Sequence, residues 1–201
     1  MAPRTQSVSR DPMCPGCVPV IAVLRAAWCQ IRYKGRYSKG MASVHDVAAY
    51  ILDRQGEMTA WKLQKLVYYS QAWHLVWNEE DEPLFGDRIE AWANGPVVYA
   101  LFDSHRGQYT VSPESSAGDP DALSKPAKET IDSVLASYGH LSGRQLSALT
   151  HAEGPWKEAR SGLGPVDRSS KEITLSSMAA YYGALDADPD APDVADIDWS
   201  I

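Results

Sequence analysis

The fifteen residues from Trp61 to Leu75 (Trp-Lys-Leu-Gln-Lys-Leu-Val-Tyr-Tyr-Ser-Gln-Ala-Trp-His-Leu) leave few options for the fold around them. Leu63, Leu66 and Val67 keep a helical period, yet rings from Tyr68, Tyr69 and Trp73 fall on other sides of the same helix. A helix that is apolar nearly all round is buried in the middle of a domain. The rest of the chain must therefore supply several elements to surround it.

The flanking patterns are mostly helical. Val44, Val47, Ala48, Ile51 and Leu52 follow the i, i+3, i+4 template for a helix over Val44 to Gln55, with Gly56 as its stop. Thr59 is a suitable N-cap for the central helix at 60–77, since its hydroxyl can accept from an orphan N–H. Further helices are expected at 126–138 (Ile131, Val134, Leu135 and Tyr138, ended by Gly139), after a Ser142–Gln145 capping box, briefly after Gly154-Pro155-Trp156, and at Ser176 to Leu185. Asn94-Gly95-Pro96 is strong punctuation, and Pro96 suits the first turn of a helix over Val97 to Ser104. Ile89 to Trp92 and Tyr109 to Val111 are short enough to pair as a two-stranded ribbon. The expected fold is mainly α: one compact helical domain around a central buried helix, with that short β ribbon.

Charge and cysteine divide the chain. Residues 1–40 hold seven Lys/Arg against the single acid Asp11, whereas 41–201 hold 12 basic and 25 acidic side chains, a balance of −13. Cys14, Cys17 and Cys29 all lie in the first forty residues. Residues 1–40 are read as a basic leader, either disordered or an over-extended start ahead of Met41. Residues 41–185 form the domain, and 186–201 an acidic tail too poor in apolar surface to order itself. Cys14-Pro-Gly-Cys17 lacks the second ligand pair of a structural zinc site. No run approaches the ~20 apolar residues of a membrane span. Arg25 interrupts the mildly apolar Cys17–Cys29 stretch, and a cysteine-free domain suits a reducing compartment, so the chain is read as cytoplasmic.

The motifs of common enzymes do not occur: no Gly-x-Ser-x-Gly, no phosphate loop, no dinucleotide fingerprint and no His-Glu-x-x-His. His74 reads as a packed histidine. His151, beside Thr150 and two residues from Glu153, is the best polar-site candidate, with a structural hydrogen-bonding role preferred. His45, His105 and His140 fall near helix ends, where capping or exposure accounts for them. Glu79 to Glu82 read as a solvated turn. Neither a catalytic group, a metal site nor a cofactor is expected, and a domain at −13 does not suit nucleic acid.

Three blocks together resemble the Panacea domain family, the SocA-like antitoxin domain. The first is Lys62-Leu63-Gln64-Lys65-Leu66-Val67-Tyr68-Tyr69-Ser70-Gln71-Ala72-Trp73. The second comprises Pro83-Leu84-Phe85, Glu90-Ala91-Trp92 and Gly95-Pro96-Val97-Val98. The third comprises Leu146-Ser147, Thr150-His151 and Gly154-Pro155-Trp156. The resemblance covers about 41–185. It implies an antitoxin of a toxin–antitoxin pair, bacterial or phage, that neutralises a cognate toxin encoded by the adjacent gene through direct protein contact. Alternatives are an adaptor that delivers the toxin to a protease, and a DNA-binding transcriptional accessory. Among the matching residues, Leu63, Gln64, Leu66, Tyr68, Gln71, Trp73, Trp92, Gly95, Pro96, His151, Pro155 and Trp156 are expected to be structural. Trp61, Lys62, Lys65 and Tyr69 are expected to be exposed contacts for the partner.

Overall fold

A computed structural model describes residues 42–78, 82–192, 194 and 197. The expectations for the leader, its three cysteines, Glu79 to Asp81 and part of the acidic tail lie outside the described residues.

Helix α1 (Val44–Gln55) starts at Ser43, whose hydroxyl accepts from Asp46 N while the Asp46 carboxylate takes the Ser43 N–H. This reciprocal box satisfies two orphan donors at once. Gly56, at φ +74°, ends the helix in a conformation few other residues adopt without strain. A two-residue strand β1 (Met58–Thr59) then leads into α2 (Ala60–Trp77), capped by Thr59 through Lys62 N at 3.2 Å. Every residue of α2 from Leu63 to Leu75 is buried. The helix is enclosed by α1, by α4 (Lys125–Tyr138), by α5 (Gly143–Ala152) and by α7 (Leu175–Ala187). Leu63, Leu66, Val67, Ile51, Ile131, Leu146 and Met178 meet there in one core. Burying each large aliphatic side chain contributes about 1.5–3 kcal/mol. The fold is mainly α, as expected.

The β structure differs from the expected pairing. β2 (Ile89–Trp92) forms an antiparallel hairpin with β3 (Gly95–Val98), Trp92 opposite Gly95 and Ile89 opposite Val98. The segment Thr110–Val111, β4, pairs instead with β1, Val111 opposite Met58. Pro96 thus lies in a strand, and α3 (Tyr99–Ser104) begins three residues later. Proline is tolerated there because of the ladder's alternation. Its opposite number, Ala91, sends its N–H to Lys171 O and receives Arg160 on its carbonyl. The Ala91–Pro96 pair therefore faces across the ladder without exchanging bonds, and the missing N–H costs nothing. A short helix α6 (Gly154–Ala159) links α5 to the loop that returns to α7. α7 runs to Ala187, and Val194 packs against the core. No helix among the described residues is long and apolar enough to cross a membrane.

Candidate functional site

The hairpin is held by side chains on both of its edges. On β3, Gln64 of α2 donates Nε2 to Val98 O at 3.3 Å and accepts Val98 N on Oε1 at 2.8 Å, so one amide stands in for a neighbouring strand. Lys65 Nζ donates to Pro96 O at 2.7 Å. At the turn, Asn94 O accepts from both Ser147 Oγ and the Trp61 indole. On β2, Trp92 O receives the Trp156 indole at 2.9 Å and Ala91 O receives Arg160 Nη1 at 3.0 Å. The outer edge of β2 is completed by the 171–173 segment, with Ala91 N on Lys171 O and Ile173 N on Ile89 O. A two-stranded hairpin alone is marginal in water. Here five of its carbonyls take side-chain donors from α2, α5, α6 and Arg160, so its position is fixed to the helical core. Gln71 repeats the device further along α2, exchanging two bonds with the backbone of Phe85.

Behind the hairpin lies a buried polar layer. Lys65 is fully enclosed, and among the described residues no carboxylate pairs with it. Burial alone brings its pKa down to about 7. Glu153, between α5 and α6, accepts Tyr69 Oη at 3.0 Å and Tyr182 Oη at 2.7 Å. Burial pushes its pKa up to about 7, outweighing the two phenol bonds that favour the carboxylate. The surrounding rings interlock: Tyr69 stacks on Tyr138 at 4.3 Å, and Tyr182 meets Tyr68, Tyr69 and Trp73 edge-on. The His151 ring stacks on Trp156 at 4.0 Å, with Arg160 across the same indole at 5.2 Å. Burial and the neighbouring Lys65 and Arg160 charges hold the His151 imidazole below its ordinary pKa. Among the described residues its Nε2 is buried without a hydrogen-bond partner, whereas Glu153 accepts its bonds from the tyrosines.

This geometry corrects part of the sequence reading. Lys65 and Tyr69 are not exposed contacts: both are fully buried, the lysine because it serves the hairpin edge and the tyrosine because it serves Glu153. Lys62 is half-buried and donates Nζ to Gly139 O at the end of α4, a cation at a helix C-terminus. Of the four expected contacts only Trp61 is exposed, at 42%. His105 is buried and is the C-cap of α3, the capping alternative of its sequence reading. His74, as expected, is packed, its Nδ1 beside Thr130 Oγ1, and burial brings its pKa to about 4. Gln64, Gln71, Trp73, Gly95, Pro96, Pro155 and Trp156 lie in the brace or the core. The sequence reading missed Arg160, Ser147 as a hairpin anchor, and Tyr182 as a Glu153 partner. The available signal for Arg160 was its spacing, four residues beyond Trp156 on the next helical turn.

Gly95 shows how tight the brace is. It sits at φ +100°, and a Cβ there would lie 2.8 Å from Lys65 Nζ. Gly95→Ala is expected to lower stability by about 1–3 kcal/mol through backbone strain and displacement of Lys65. Urea denaturation of the purified variant measures this.

The outer side of the hairpin is a different surface. Among the described residues, Trp61, Tyr99 (47%) and Tyr109 (83%) are large, apolar and exposed, and Tyr99 directly follows β3. The Trp61 indole reaches Asn94 O. Tyr109 O accepts Ala60 N, next to Trp61, and Asn94 and Tyr99 line one cleft. That cleft, of about 740 Å³, is bounded by Glu90, Trp92, Asn94, Tyr99, Arg168 and Ser170.

The described residues thus form a mainly helical fold with a side-chain-braced hairpin and exposed aromatic residues near it. Residues 63–157 match the family described as antitoxin SocA-like, Panacea domain. The chain is 33% identical over 114 residues to antitoxin SocA of Caulobacter vibrioides (strain NA1000 / CB15N), a match covering 51% of this chain and 60% of that relative. No solved structure matches the chain.

Proposed function

We propose that this protein is an antitoxin that neutralises a cognate toxin by direct contact, and that the toxin meets the aromatic rim around the β2–β3 hairpin. The observation that carries the second part is the exposure of Trp61, whose indole bonds the hairpin turn at Asn94, of Tyr99, which directly follows β3, and of Tyr109, whose carbonyl accepts Ala60 N. Trp and Tyr are the usual anchors of protein interfaces. The balance of −13 over 41–201 favours a partner with a basic surface. The match to antitoxin SocA supports the first part.

Co-expression with the adjacent gene tests the role. That gene's product should arrest growth alone and be tolerated in the presence of this protein. A neighbour that is harmless alone, or toxic in both cases, removes the proposal. For the face, Tyr99→Ala and Tyr109→Ala should each weaken toxin binding by about 2 kcal/mol, roughly thirtyfold. The unfolding free energy of Tyr109→Ala should stay within about 0.5 kcal/mol of the parent, because Tyr109 is 83% exposed. Titration calorimetry and urea denaturation read the two quantities separately.

A further inference from the structure

The cleft beside the hairpin contains a carboxylate that the brace does not use. Glu90, on β2 and part-buried, accepts the Trp92 indole on Oε2 at 2.8 Å, and among the described residues it makes no ion pair. Glu172 lies opposite it across a β-bridge, placing a second carboxylate nearby, itself paired with Arg88 at 3.4 Å. Trp92 and Tyr99, also lining the cleft, both lean on Phe102, with ring centroids 4.8 and 6.1 Å away. The 168–170 wall is fixed by Arg88 donating to Ser170 O at 2.6 Å and by Ala91 N on Lys171 O at 2.8 Å. Arg160 adds bonds to the carbonyls of Gly164 and Asp167 just before it. The walls are therefore preformed.

A carboxylate with acceptor capacity to spare, set among aromatic rings, is complementary to a guanidinium or ammonium group. Charge-assisted hydrogen bonds to the carboxylate and attraction to the ring faces act on the same cation. Arg168 is the one cation among the lining residues. It is exposed, so its charge is well screened by salt. We infer that the protein partner enters this cleft with an arginine or lysine side chain, which docks on Glu90 beside Trp92 and Tyr99. The inference rests on the reading of this face as a protein-binding surface and names the chemistry of the partner's anchor.

The test uses the full chain and a probe that needs no toxin. N-acetyl-arginine amide is titrated while the tryptophan indole N–H resonances are followed by NMR, with N-acetyl-glutamate amide as the opposite-charge probe. The arginine probe should shift the Trp92 indole saturably in the low-millimolar range, as expected for a ligand of this size. Glu90→Gln, which keeps an acceptor for the Trp92 indole, should weaken it at least tenfold, and Arg168→Gln should tighten it a few-fold. Two results overturn the inference. One is an arginine probe that moves no indole resonance at any soluble concentration. The other is preferential binding of the glutamate probe that Arg168→Gln abolishes. Once a toxin is in hand, equal affinity of parent and Glu90→Gln for it also overturns the inference, yet leaves the antitoxin role standing. A failure of neutralisation alongside intact arginine binding does the reverse.

Discussion

Gln64→Leu should cost this protein about 2–6 kcal/mol of unfolding free energy, although the substitution changes side-chain volume little. Gln64 is buried and both ends of its amide bond the backbone of Val98. Leucine fills the same space but leaves a buried N–H and a buried C=O without partners, each costing about 1–3 kcal/mol. Native domains are stable by about 5–15 kcal/mol, so the loss is a large part of the whole. The damage should also be directional. With Val98 released, β3 keeps only its pairing with β2 and the Lys65 contact on Pro96. Amide exchange in 95–98 should therefore accelerate before exchange in α2 does. Urea denaturation followed by hydrogen exchange reads both effects. A change under about 1 kcal/mol, with unaltered exchange in β3, would show that the amide is not a strand surrogate.

The second large effect is in the pH dependence of stability, and Glu153→Gln exposes it. Glu153 has a folded pKa of about 7 against an ordinary 4.5, so the folded state holds a proton that the unfolded state gives up. Its contribution is present below about pH 4.5 and is lost as pH rises through about 7. That displacement corresponds to about 3 kcal/mol. Lys65 has the opposite sign: its folded pKa of about 7 lies below an ordinary 10.5, so its contribution is present at high pH and is lost as pH falls through about 7. Together the two groups place a local minimum of stability near pH 7. Glu153→Gln removes the acid-side limb. Relative to the parent, the variant should gain about 3 kcal/mol between pH 4.5 and pH 8, whatever offset the altered hydrogen bonds introduce. Parallel stability curves for parent and variant would show that Glu153 is ionised in the folded protein at neutral pH. Carboxylates such as Asp46, whose pKa is lowered by bonds from Asp119 and Ser43 against the opposing effect of burial, are common to both proteins and cancel in the difference.

The helical frame was legible because its signals are local. Ser43 with Asp46, Thr59, and Ser142 with Gln145 cap the helices that periodicity had located, and α1 and α2 occupy the expected residues. The hairpin was not legible for a local reason too. Asn94-Gly95-Pro96 reads as turn followed by helix, and only the register against Ala91 shows that Pro96 occupies a position where a strand needs no N–H. Burial of Lys65 and Tyr69 could not be read from the helix either. A lysine beside a glutamine on an aromatic-rich helix looks like a solvated face until a carbonyl 31 residues away is brought to its ammonium group. The same holds for Glu153, whose partners come from α2 and α7. Long-range polar pairing decides which residues of the family pattern are buried, and sequence spacing carries little of it. Trp61 escaped this difficulty because it sits in the first turn of α2, at the rim of the domain.

The most direct test of the account is amide hydrogen exchange across the chain with and without bound toxin. The account predicts added protection around Trp61, Ala93–Asn94, Tyr99 and Tyr109, with little change at Tyr50, Asp132 and the rest of the α1–α4 surface. Protection concentrated on α1 and α4, with the hairpin rim unchanged, would contradict it.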